Sequence, residues 1–98
     1  MDDLPALWRE HQQETFPPSC LPLSIDGLPL VKLDASAGAC LTASLRTDGV
    51  PRPLSPARRD ELARGRELAA RALVELALDP AGRAYFERLV LFADAVLG

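Results

Sequence analysis

Three side chains are suited to nucleophilic attack or to proton transfer near neutrality: a single histidine, His11, and two cysteines, Cys20 and Cys40. A nucleophilic site needs a base within hydrogen-bond reach of the nucleophile and a third group to orient that base. No local motif brings His11 to either cysteine. A zinc site needs three or four deprotonated nitrogen or sulfur ligands at suitable spacing. The two thiols stand twenty positions apart, and there is no C-x-x-C pair. The run Asp34-Ala35-Ser36-Ala37-Gly38-Ala39 matches neither a P-loop nor a dinucleotide fingerprint, and it begins with an acid. Pro53-x-x-Pro56 resembles a polyproline ligand, but Pro56 behind Ser55 is better used to start a helix. These observations predict no metal, no cofactor and no enzymatic activity. Cys20 and Cys40 read as unbonded structural thiols, because no basic, apolar leader marks the chain for export.

Charge says more about partners than about chemistry. The formal net charge is −3, which argues against nucleic-acid binding. Ten arginines stand beside a single lysine, Lys32, a bacterial-like usage typical of GC-rich coding. Arg52, Arg58 and Arg59 fall in one cationic stretch, and the last two sit in the first turn of an expected helix. The positive end of the helix dipole disfavours cations there. That anomaly makes the three arginines candidates for contact with an acidic partner.

The expected elements give the order α-β-β-β-α-α, an α+β fold in one domain spanning residues 1–98. A helix over 3–15 has Asp3 as cap and Pro5 in its first turn, with Leu4, Leu7, Trp8 and His11 on one face. Pro17-Pro18 stops it. A three-stranded antiparallel meander is expected over 22–46. Asp26-Gly27 between apolar runs is a strong hairpin signal, and Leu41, Ala43 and Leu45 alternate with polar neighbours. A proline-bearing linker covers 47–55. Helices over 56–78 and 80–97 follow, started by Ser55-Pro56 and Asp79-Pro80. Gly65 falls at the edge of an apolar arc, where it would allow a close crossing.

The last helix is the most hydrophobic element, and its apolar sector is wider than one small core should need. Tyr85, Leu89, Leu91, Phe92 and Val96 are therefore the candidate interface residues. Leu68 and Leu78 also lie outside the main arcs. No stretch is long and apolar enough for a membrane span. The expectation is a small cytoplasmic protein–protein interaction or regulatory module, of the adaptor, inhibitor or immunity type. It would act through the C-terminal helices, as a homodimer or on a protein partner. The alternative is a small enzyme or ligand-binding protein with a cleft between sheet and helices, using Cys40, Asp34, His11 or Tyr85.

Overall fold

The computed structural model describes residues 3–45 and 51–98. Arg46, the last residue of the expected third strand, and residues 47–50 of the expected linker lie outside them. Four helices dominate: α1 (Leu4–Gln12), α2 (Leu30–Ser44), α3 (Pro56–Glu75) and α4 (Pro80–Leu97). A two-stranded antiparallel sheet pairs β1 (Ser24–Ile25) with β2 (Leu28–Pro29), and Pro18–Cys20 form one 3₁₀ turn. The α+β class therefore holds in a mostly helical form.

Local chemistry sets most helix starts. The carboxylate of Asp3 accepts from the backbone N–H of Ala6, the hydroxyl oxygen of Ser55 from Arg58, and the carboxylate of Asp79 from Gly82. Each cap satisfies one of the amide donors that a helix N-terminus leaves unpaired, and is worth about 1 kcal/mol. The start of α4 at Pro80 and its end at Leu97 fall where the capping pattern places them. Helix α1 ends at Gln12, short of the expected Thr15, and α3 ends at Glu75, before the apolar pattern runs out at Leu78.

The hairpin forms at Asp26-Gly27, and both turn residues adopt positive φ, 51° and 76°. Ser24 pairs with Pro29 and Ile25 with Leu28. Here the meander is corrected. Residues 30–44 are helix α2 rather than the end of the second strand, a loop and the third strand. The buried residues Leu30, Leu33, Ala37, Cys40, Leu41 and Ser44 follow helical spacing and turn one stripe toward the core. The alternation around Leu41, Ala43 and Leu45 is a short accident within that longer period. Four alanines and three leucines in the segment favour a helix, and only Val31 and Thr42 are β-branched.

Helices α3 and α4 form an antiparallel hairpin. Arg66 pairs with Asp94 at 2.8 Å midway along it. The Arg59 guanidinium donates to the carbonyl of Leu97, and Arg83 donates to the carbonyl of Leu73 at 3.1 Å. An arginine from the first turn of each helix thus serves the C-terminal carbonyls of the other. Cations are favourable at that end of a helix dipole. Helix α2 crosses α3 closely at Gly65, where an added Cβ would lie 3.4 Å from the Ala37 Cβ. The turn Asp26 reaches α3 through Arg71, at 2.7 Å, and Arg71 also holds Glu75 at 2.9 Å. One continuous core joins α1, the hairpin and the three longer helices, with Phe86, Leu30, Leu33, Leu41, Leu62 and Leu89 at its centre.

Candidate functional site

The structure absorbs most of α4. Tyr85, Leu89 and Phe92 are buried in the core, so three of the five candidate interface side chains are corrected to packing residues. The reason is geometric: α1, α2 and α3 all contact α4, and together they cover a wider arc than a sheet would. Val96 is half-buried against the core, and Leu91 remains 67 % exposed. Of the other leucines placed outside the arcs, Leu68 is buried and Leu78 packs partly against the core.

The cationic candidates separate. Arg59 is engaged by the end of α4. Arg58 lies against the Cys40 thiol together with Glu61. Arg52 follows α2, with its backbone N–H donating to the Ser44 carbonyl at 2.8 Å and its own carbonyl accepting from the Ser44 hydroxyl. The anomaly in the first turn of α3 thus has a structural cause at Arg59, which completes the C-terminus of a neighbouring helix.

Cys20 and Cys40 are free, buried thiols. Burial raises both above the ordinary thiol pKa, which keeps them protonated and weakly nucleophilic. Cys20 is packed against the backbone of Gly82, where a Cβ would come within 2.7 Å of its sulfur.

The polar centre of the molecule is His11. It is 2 % exposed and lies among Trp8, Tyr85 and Phe92, with ring centroids 5.4, 4.5 and 5.7 Å away. Arg88 donates from Nε to His11 Nδ1 at 3.3 Å and pairs with Glu14 at 2.6 Å. A guanidinium only donates, so Nδ1 must accept and the imidazole is neutral with its proton on Nε2. That Nε2 is buried without a partner among the described residues. Burial and then the Arg88 charge lower the His11 pKa, and Glu14 opposes them. Next to it, the Tyr85 hydroxyl donates to both carboxylate oxygens of Asp34, at 3.0 and 3.1 Å. Burial raises the Asp34 pKa and the Tyr85 bond offsets part of that. Tyr85 is pushed well above the ordinary phenol range, by burial and by the Asp34 charge, so it acts as a hydrogen-bond donor and not as a base.

His11 separates two depressions. On one side, Leu4, Leu7, Leu91 and Phe92 line an apolar groove between α1 and α4 of about 380 Å³, rimmed by Glu10, Glu14 and Arg88. On the other side, a more polar cleft of about 500 Å³ lies where α1, α2 and α4 meet and α3 adds Arg58. Trp8, Gln12, Asp34, Thr42 and Tyr85 line it. The Thr42 hydroxyl accepts from Trp8 Nε1 and Gln12 Nε2, both at 3.2 Å, and so ties α1 to α2. His11, Asp34 and Tyr85 are thus brought together, in a cleft between helices and not between helices and a sheet. Cys40 stays buried behind it. Leu7, which the sequence pattern places on the α1 packing face, is 37 % exposed and shares the groove with Leu91. At about 100° per residue Leu7 falls at the edge of the face formed by Leu4, Trp8 and His11, which is why solvent reaches it.

Among the described residues, no group of three or more His, Cys, Asp and Glu side chains is placed to hold a metal ion, and no helix is long and apolar enough to cross a membrane. Comparison with protein-family models, curated proteins and solved structures finds no match to this chain.

Proposed function

We propose that this chain is a cytoplasmic protein–protein interaction module that docks a basic amphipathic helix of a partner in the α1–α4 groove. The observation that carries the reading is the convergence of Leu7 and Leu91, both exposed, on one apolar groove floored by Leu4 and Phe92. Exposed apolar side chains that share a groove mark contact surfaces more strongly than scattered ones. A helix laid in such a groove buries side chains at i, i+3 or i+4 and i+7. The rim gives the partner its sign. Arg88 is already paired with Glu14, and Glu10 adds a second carboxylate. Two copies meeting through this groove would oppose acidic rims, so a basic partner fits better than a second copy.

The test uses a synthetic helical peptide with leucines at that spacing and lysines elsewhere, titrated into the whole protein by calorimetry. Binding is expected for the wild type, with loss in Leu7→Glu/Leu91→Glu and no binding of a scrambled peptide of the same composition. Equal binding of the scrambled peptide, or an unchanged double variant, removes the proposal. Light scattering is expected to show a monomer, and a dimer abolished by Leu91→Glu would replace the partner with a second copy.

A further inference from the structure

The Asp34 carboxylate is half-buried in the polar cleft, and among the described residues no ion pair includes it. Its hydrogen-bond partner is the neutral Tyr85 hydroxyl, which approaches both oxygens from the α4 side. A buried carboxylate normally has a cation or several donors to offset lost hydration. Arg58, which also lines the cleft, does not fill that role. It lies toward the α3 end, where Glu61 shares its surroundings at Cys40. Each carboxylate oxygen retains a lone pair beyond the one Tyr85 uses.

The other walls suit a cation. The rings of His11 and Tyr85, with centroids 4.5 Å apart, contribute to the lining together with Trp8. These rings pack on one another and present an apolar wall to the carbon skeleton of a ligand. Thr42 already accepts two hydrogen bonds, and the Gln12 side chain donates one of them, which leaves the Gln12 amide oxygen as an acceptor at the outer edge. Acceptors and rings therefore line this end: the Tyr85 hydroxyl and the Trp8 indole N–H are spent on Asp34 and Thr42, and the His11 Nε2–H, without a partner among the described residues, is buried beneath the cleft surface.

We propose that this cleft binds a small organic ammonium ion, with Asp34 as its counter-charge, Gln12 as a second acceptor and the His11–Tyr85 wall against its carbon skeleton. The site is distinct from the α1–α4 groove, and its residues other than His11 do not line that groove. The proposal therefore stands or falls independently of partner docking.

The probe is butylammonium chloride, titrated into the intact protein at neutral pH and followed by the indole N–H resonance of Trp8, the single tryptophan. Its donor to Thr42 sits at the cleft. A ligand of so few heavy atoms is expected to saturate with Kd on the order of millimolar. Asp34→Asn keeps an oxygen acceptor for Tyr85 and removes only the charge, and it is expected to weaken binding about tenfold or more. Butanol at equal concentrations is expected to leave the resonance unmoved. Circular dichroism of Asp34→Asn checks that the fold is retained; if it is lost, Gln12→Leu at the exposed edge serves instead, with a loss of about threefold or more expected for an ammonium hydrogen bond. Equal shifts with butanol, unchanged affinity in the folded variant, or no saturable response to butylammonium overturns the proposal.

Discussion

The α3–α4 hairpin and the seam that attaches α1 are held by different physics. The hairpin is closed along its length by apolar packing around Phe86 and Leu89, and at its ends by the reciprocal arginine contacts to helix carbonyls. The α1 seam is closed by rings and polar atoms. Trp8 stacks on His11 at 23° and meets Phe92 edge-on, Arg88 donates to the imidazole, and Thr42 collects donors from Trp8 and Gln12. Apolar packing is indifferent to pH. A seam built around a neutral histidine is not. Both candidate sites therefore lie along the seam, whose closure depends on a titratable group.

Four substitutions probe the hairpin, the seam and the groove separately. The largest expected effect is at the hairpin. Phe86→Ala removes a fully buried ring and should cost about 3–5 kcal/mol in urea unfolding, which would leave a domain of this size barely folded. Tyr85→Phe tests the seam. It leaves the half-buried Asp34 without its donor, and about 1.5–3 kcal/mol is expected by the same measurement. Next is Gly82→Ala, at the start of α4. A new Cβ 2.7 Å from the Cys20 sulfur forces a buried side chain aside, at about 1–3 kcal/mol before an offset of about 1 kcal/mol from helix propensity. The smallest effect is expected at the groove. Leu91→Ser should change stability by no more than about 0.5 kcal/mol, because the side chain lies mostly in solvent.

The pH dependence separates the seam from the hairpin directly. The folded-state pKa of His11 lies below its ordinary value, so the unfolded chain takes up the proton first as pH falls. The stability that neutral His11 contributes is complete above the unfolded value, near 6.5, and declines as pH drops from there toward the folded value. The charged groups that face the imidazole are Arg88 from α4, which opposes protonation, and Glu14 beyond the end of α1, which favours it. Trp8 fluorescence is expected to report loosening of α1 in this window, and His11→Gln should flatten it. A profile unchanged in that variant would assign the loss to carboxylates. Asp26 and Asp79 are held below the ordinary carboxylate range by Arg71 and by the Gly82 amide, and their contributions are lost only at lower pH.

Features that depend on neighbours a few residues apart are legible in the chain before it folds. Asp3, Ser55 and Asp79 announce their helices because a cap reaches an amide three residues on. Asp26-Gly27 announces the hairpin because a tight turn needs two residues that tolerate positive φ. Tertiary structure decided the rest. Residues 30–44 carry both a short alternation and a longer helical period, and packing against α3 across Gly65 and against α4 selects the helix. His11, Asp34 and Tyr85 come from α1, α2 and α4, and Asp34 and Tyr85 are 51 positions apart. No local pattern could join them. The exposure of Leu91 and the burial of Leu89 likewise follow from which helices cover α4, because solvent exclusion is a property of the assembled core and not of the chain that enters it.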